Sequence, residues 1–409
     1  MKKILYSIYT DKYPNIDAGG PNNIIYKIIQ QSSNREFIFD YLSSDLFVEN
    51  IKDDNLYSFN EQLSIKKKIT SYLGENSQLY RNIFTNKFYL PYHFYKKNKR
   101  YKSFNPHSKN YDIIHSHDSI SLSLLSSKKI NSSKILSVHS KGPLSDELKN
   151  MSRSKKISDK INKELKILEK RSIESADVIT FPSKASREYF ENSLEINLDD
   201  DKVRIIYNGI DYEYIKNINA DEKILHKYSI SKNNYELILL NISAHEHEKK
   251  IDVLLKVIQR LKFTYKKNVL LVNIGVGSLT DLLIKTTNDI GISNNVRFLG
   301  KIPNDDVIKF LKLSDIFIMT SEKVIFDLVV LEALACGKCV IVSNDGGNKE
   351  IIRDGENGYL IDIKDVDKIS QKIISINFDK TKMKALETAK QFSVKKMAKE
   401  YSHLYESIL

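Results

Sequence analysis

Ser321–Glu350 reads SEKVIFDLVVLEALACGKCVIVSNDGGNKE. Ile316–Thr320, just before it, is an apolar run of strand length. Leu328–Ala335 reads as a buried helix, Val340–Ser343 as a β-branched strand and Asn348–Ile352 as a short helix. Strand, helix, strand and helix in this order predict a parallel sheet with helices laid on it. Gly346 and Gly347 fall after a strand and before a helix. Glycines there allow unusual backbone angles and close approach to a ligand. A helix N-terminus adds N–H donors that suit a phosphate. On spacing alone, a tight structural turn explains the pair equally well. Glu332, early in its helix, is a carboxylate able to accept two hydrogen bonds from the vicinal hydroxyls of a ribose.

The same alternation runs through the chain. Strands are expected at Lys3–Ile8, Phe37–Tyr41, Asp112–Ser116, Lys134–Val138, Val178–Phe181 and Val203–Tyr207. Helices are expected between them, including a long charged one over Leu148–Ser175. A second series begins at Leu237–Ile242 and continues through Asn268–Ile274, Val296–Leu299 and Ile316–Thr320. Tyr207–Ile230 reads as the linker. A length of 409 residues fits two domains, each with its own core. Such domains bind ligands at the carboxyl ends of their strands, in a cleft.

Apolar residues at 41% and charged residues at 28% describe a globular chain, with no apolar run near the roughly 18 residues of a membrane span. Met1–Thr10 reads as a first strand, not as a signal peptide. The two cysteines, Cys336 and Cys339, lie in a helix–strand junction and read as structural. Scarce cysteine and no export signal predict a cytoplasmic protein. The net charge of +12 is uneven. Residues 62–110 hold eleven Lys or Arg against one acid, Glu75, interleaved with aromatics from Tyr72 to Phe104. This basic aromatic insertion suits an anionic membrane surface or an anionic acceptor, or is a solvated insertion whose aromatics pack on the domain below. Nucleic acid is not the expected partner.

Ser-x-x-x-x-Phe-x-Leu, then Glu332-Ala-x-Ala-x-Gly337, a strand and Gly346-Gly-x-x-Glu350 together resemble the nucleotide-sugar segment of the retaining glycosyltransferases of family 4, glycosyl transferases group 1. The resemblance implies a GT-B fold: α/β, with two Rossmann-like doubly wound domains facing each other across a cleft. It implies an N-terminal acceptor-binding domain over 1–210, within which the insertion 62–110 is the main part the resemblance does not cover. A nucleotide-sugar-binding domain would cover 211–390, and a terminal helix over 391–409 would cross back to the first domain. Ser243, Phe326, Leu328, Glu332, Gly346 and Gly347 are then donor-binding residues. Gly19 and Gly20 match the family's glycine-rich loop, and His139 matches a histidine near the donor sugar. His115 and His117 resemble its strand-end motif.

Two departures stand out. Eight residues before Glu332, where the family has a carboxylate, this chain has Val324. An isopropyl group accepts no hydrogen bond, and an unpaired buried hydroxyl costs about 1–3 kcal/mol. Either Asp327 or Glu322 supplies the carboxylate from a shifted loop, or the donor lacks that hydroxyl, or the subunit is impaired and serves a partner. In Ile242-Ser-Ala-His-Glu-His-Glu-Lys249 the family's Arg is replaced by Ala244, while Lys249 matches its Lys. Lys250, or a protonated His245, is left to help neutralise the departing phosphate. His245, Glu246, His247 and Glu248 read as a polar loop, and no metal is expected.

The sequence thus predicts transfer of a sugar from a nucleotide-sugar donor, UDP-linked by expectation, to a cell-surface glycan or lipid-linked acceptor. The catalytic set would be His139, Lys249 and Asp327, with Lys250 on the donor. No cofactor is expected, and the protein would be cytoplasmic or peripheral at the inner membrane face. The alternatives are an impaired GT-B-shaped scaffold subunit of a glycan-assembly complex, or transfer onto a protein.

Overall fold

The computed structural model describes residues 1–9, 21–32, 37–43, 47–51, 101, 103–128, 130–139, 143 and 155–409. Gly19, Gly20 and nearly all of the basic insertion lie outside them. The chain divides into two compact units, Met1–Tyr207 with Val394–Leu409, and Asn208–Ser393.

The first unit is a seven-stranded sheet in the order β3-β2-β1-β4-β5-β6-β7. Its strands are β1 (Lys2–Ile8), β2 (Phe37–Ser43), β3 (Phe47–Val48), β4 (Ile113–Ser116), β5 (Ser133–Ser137), β6 (Val178–Phe181) and β7 (Val203–Ile205). All pair in parallel except β3, a two-residue antiparallel edge too short to leave a sequence pattern. Helices α1 (Pro21–Ser32), α2 (Ser119–Ser126), α3 (Lys155–Ser175) and α4 (Lys184–Leu194) accompany it. Because both faces are covered, successive residues of β1 are buried in turn. Ile4, Tyr6 and Ile8 pack with α1 and with the C-terminal helix Val394–Ser407, through Tyr401, Leu404 and Tyr405. Leu5 packs with Leu122, Leu125 and Phe190 on the other side.

The second unit is a six-stranded parallel sheet in the order β10-β9-β8-β11-β12-β13. The strands are β8 (Leu237–Ile242), β9 (Val269–Ile274), β10 (Val296–Gly300), β11 (Ile316–Met319), β12 (Cys339–Ser343) and β13 (Tyr359–Ile361). Its helices are α5 (Tyr212–Asn217), α6 (Lys223–Lys227), α7 (Ile251–Phe263), α8 (Thr280–Asp289), α9 (Asn304–Leu313), α10 (Leu328–Ala335), α11 (Asn348–Ile351), α12 (Val366–Ser375) and α13 (Lys382–Gln391). Helix α7 places its apolar side on Leu239, Leu271 and Ile316 of the sheet.

Two sequence expectations change here. The expected linker holds α5 and α6. Asp211 caps α5 by accepting from Tyr214 N at 3.0 Å, and buried Asp306 holds Lys227 and Tyr228 at 2.6 and 2.8 Å. The strands expected to end at Val340–Ser343 are followed by β13, whose three residues were too few to read as a strand. No helix among the described residues is long and apolar enough to cross a membrane.

The C-terminal helix is stitched to its sheet by hydrogen bonds. Buried Tyr405 meets the Tyr6 hydroxyl at 2.7 Å and His115 Nδ1 at 2.8 Å. Tyr405→Phe removes both bonds and leaves two buried polar groups unpaired. We expect a loss of about 1–3 kcal/mol, read as a lower urea midpoint of the first unit with the far-ultraviolet dichroism unchanged.

Candidate functional site at the strand ends

In the second sheet the chain starts at β8, builds outward through β9 and β10, then returns to β11 beside β8 and builds the other way. Loops leaving the carboxyl ends of β8 and β11 therefore diverge, which is where doubly wound sheets bind ligands. Lys249 and Lys250 follow β8, and Glu322, Val324 and Asp327 follow β11.

The loop after β8 stands on a buried polar chain. Asn241 Nδ2 donates to Ile318 O at 2.8 Å, which turns Asn241 Oδ1 toward Ser243 Oγ at 2.9 Å and Asn273 Nδ2 at 3.3 Å. Asn273 Oδ1 then faces His245 Nε2 at 2.7 Å, and His245 Nδ1 lies 2.8 Å from the Thr280 hydroxyl. Because Asn273 offers an oxygen, His245 carries its proton on Nε2. His245 is fully buried with both nitrogens occupied, so it holds the loop and does not meet a phosphate. Two glycines after β9 let that loop come close. A Cβ on Gly275 would lie 2.0 Å from Ser243 O, and one on Gly277 would lie 2.5 Å from His245 O.

The end of β11 grips the same loop. The Thr320 hydroxyl lies 2.8 Å from Lys250 O, and Glu322 N donates to Glu248 O at 2.7 Å. Lys249 Nζ pairs with Asp327 Oδ2 at 3.2 Å, and Lys250 Nζ pairs with Glu322 Oε2 at 3.1 Å. Lys249 and Asp327 are the more buried couple, with side chains 15% and 26% exposed. Both carboxylates named as replacements for the missing one therefore stand on the two lysines. Ala244, where the family's guanidinium would be, is exposed.

Val324 points inward and is 2% exposed. Its N–H donates to Asp345 Oδ1 at 3.0 Å, and its carbonyl accepts from Gly347 N at 2.8 Å. A Cβ on Gly347 would sit 1.9 Å from Ile325 O, so only glycine allows this approach. The Gly347 amide is thus spent inside the protein, which corrects its expected service as a ligand donor. Asn348, Lys349 and Glu350 amides are also bonded, back to Asp345, Gly346 and Gly347. Gly346, in the left-handed region with φ +47°, is left as the amide of this turn without an acceptor among the described residues.

Phe326 is buried against Phe392, with ring centroids 5.5 Å apart. It anchors the loop and is not presented to a ligand. Leu328 opens α10 beside Asp327, and half-buried Glu332 sits one turn further along.

In the first unit, half-buried His139 follows β5. Its Nε2 lies 2.9 Å from Nδ1 of His117, which follows β4. His115 is fully buried between Tyr405 and Ser137 Oγ, the latter at 2.7 Å, and is a core residue. Burial, the largest cause, holds His115 and His117 well below the usual histidine range and His139 down to about 4.

Lys249 with Asp327 and Lys250 with Glu322 thus form two ion pairs after β8 and β11, Gly347 is bonded to the same β11 loop through Val324, and Ser243 lies in the polar chain of the β8 loop. Glu322 was named from sequence as a replacement carboxylate, whereas nothing singled out Gly275 and Gly277. The Gly-x-Gly after a strand was the available signal for the last two. No group of three or more His, Cys, Asp or Glu among the described residues is placed to hold a metal ion.

Residues 223–392 match the family described as Glycosyl transferases group 1, and residues 70–214 match Glycosyltransferase Family 4. An uncharacterised glycosyltransferase of Methanocaldococcus jannaschii is 34% identical over 198 residues, 48% of this chain and 50% of the relative. The chain spans about half the length of that curated relative, and about three fifths of two others. Sucrose-phosphate synthase from Thermosynechococcus elongatus superposes with a TM-score of 0.70 at 16% identity, covering 100% of this chain and 99% of that one. Anabaena HepE, solved in complex with UDP-glucose, gives 0.64 at 16% identity with 100% of both chains covered. At such identities the likeness shows the fold, and the fold is GT-B. Residues 70–214 and 223–392, one stretch in each half of the chain, thus match glycosyltransferase families, and the fold is GT-B.

Proposed function

We propose that this chain is a retaining glycosyltransferase that moves a sugar from a nucleotide-sugar donor, UDP-linked, to a glycan or lipid-linked acceptor. The carrying observation is the pairing of Lys249 with Asp327 and Lys250 with Glu322 at the switch point of the second sheet. It puts two cations for a diphosphate beside two carboxylates for hydroxyls. The donor identity draws support from HepE, which was solved with UDP-glucose.

In this reading Glu332 takes the ribose hydroxyls, and Lys249, Lys250 and the Gly346 amide take the diphosphate. The acceptor oxygen bonds to C1 on the face the diphosphate leaves, as the C1–O bond to phosphate breaks. The acceptor proton passes to the departing phosphate oxygen, so no separate base is required. The two lysines carry the charge that develops on the diphosphate, with no metal in the scheme. Asp327, held by Lys249, does for a sugar hydroxyl what Val324 cannot.

The buried Val324 and exposed Ala244 favour a second reading, a nucleotide-binding scaffold subunit without turnover. Release of free sugar from a panel of nucleotide sugars separates the two. Binding of nucleotide with no turnover, acceptor present or absent, would leave the scaffold. Residues 62–110 are basic and aromatic, and the proposed acceptor side is an anionic membrane face.

Three outcomes are expected. Glu332→Ala weakens UDP binding about ten- to a hundredfold by calorimetry, the equivalent of one or two lost hydrogen bonds at about 1.4 kcal/mol per tenfold; unchanged affinity removes Glu332 from the ribose. Asp327→Asn lowers kcat/KM by at least about tenfold while UDP alone binds within about threefold of wild type. A parallel fall in UDP affinity would instead assign Asp327 to the nucleotide. Neutralising Lys96, Lys97, Lys99 and Lys102 together reduces sedimentation with phosphatidylserine vesicles at low salt; equal sedimentation would remove the membrane from the proposal.

A further inference from the structure

The first sheet has its own switch point, between β1 and β4, and a row of histidines stands beside it. His115 and His117 stack with centroids 4.2 Å apart, and His117 and His139 are coplanar within 1°. His117 is 2% exposed, tied by its backbone N–H to Ser7 O at 2.8 Å. Its Nδ1 meets His139 Nε2 at 2.9 Å, and its own Nε2 is buried with no hydrogen-bond partner among the described residues. Nothing in the proposed chemistry uses His117, yet its ring is oriented entirely by His139 and by packing.

We propose that His117 is a positioning residue for His139. It fixes the plane of the His139 ring and occupies Nε2, so that Nδ1 alone is left to meet the donor. The part concerning the donor rests on the glycosyltransferase reading above. The contact is coplanar and short, so one proton lies between the two nitrogens. If His117 gives that proton, it is protonated at Nδ1, and neutral His139 must carry its own at Nδ1. If His139 gives it, His139 is protonated at Nε2, and neutral His117 must carry its proton at Nε2. Either way the two rings share one tautomer. The free nitrogen of His139 is an N–H in the first form and a lone pair in the second. A ligand that accepts from Nδ1 selects the first form in both rings at once, and a ligand that donates selects the second.

The test is nitrogen-15 NMR of the full chain labelled at histidine, with His117 and His139 assigned by substitution. The wild-type protein without ligand should show both rings in the same tautomer, changing together when UDP-glucose is added. Different tautomers in the two rings would overturn the proposal without using any activity. Kinetics supply the second measurement. His117→Phe keeps a planar ring but no partner atom, and should lower kcat/KM about ten- to a hundredfold through misplacement of His139. His117→Asn puts a polar group near the old Nδ1 and should restore most of it. Unchanged kcat/KM in His117→Phe, or no restoration by His117→Asn in a folded protein, would also overturn it. Coupled rings whose signals ignore every nucleotide sugar would refute the donor-site reading of His139 while leaving the coupling itself demonstrated.

Discussion

The approach of Gly347 to the Val324–Ile325 backbone sets the rest of the candidate site in the second unit. A Cβ at 347 would fall 1.9 Å from Ile325 O, well inside any tolerated contact. Its absence lets Gly347 N reach Val324 O at 2.8 Å while Asp345 takes Val324 N. The Ser343 hydroxyl adds a third tie, to Ser321 O. With the loop after β11 held at its middle, Val324 is turned into the core, and Asp327 falls at the start of α10 within reach of Lys249. The inward-turned Val324 and the Lys249–Asp327 pair thus share one backbone arrangement.

That arrangement has an electrostatic consequence. Lys249, Lys250, Asp327 and Glu322 sum to zero charge. Both pairs are partly exposed, where solvent screening leaves an ion pair worth only about 1 kcal/mol, so they orient side chains more than they stabilise the unit. A diphosphate brings negative charge that the lysines attract and the carboxylates repel. In the proposed function, binding favours separation of the pairs, with the lysines kept by the phosphates and the carboxylates turned to whatever hydroxyls the sugar offers. Lysine suits such an exchange, because its ammonium makes no rigid bidentate fork. The missing guanidinium at Ala244 and the displaced carboxylate are compatible parts of one altered grip.

How much of this was legible depended on the range of the interaction. Helix α10 was bounded from sequence as observed, since a compact apolar run of helical length is a local signal. Strand β13 and edge strand β3 were missed because two or three residues carry no periodicity. Helices α5 and α6 were taken for linker because they are short and hold on through single contacts such as Asp211 and Asp306. His245 is the instructive case. In sequence it stood in a His-Glu-His-Glu run and looked free to meet a phosphate. Its partners are 28 and 35 residues away and are reached only through the fold. Gly347 was read correctly as a required glycine, but its amide faces Val324 and not a ligand, which spacing could not tell.

The two switch points differ in kind. In the second unit the loops present charges that are already paired and can be re-paired. In the first, buried His115 and His117 and half-buried His139 form a row that loss of solvent holds neutral at physiological pH. A neutral row has little pull on a diphosphate, since the attraction that matters there is between net charges. It is well suited to an uncharged polyol, where each contact is a directional hydrogen bond and each nitrogen must be a known donor or acceptor. In the proposed function charge recognition belongs to Lys249 and Lys250 of the second unit, while the one nitrogen of His139 that His117 does not occupy is suited to a hydroxyl.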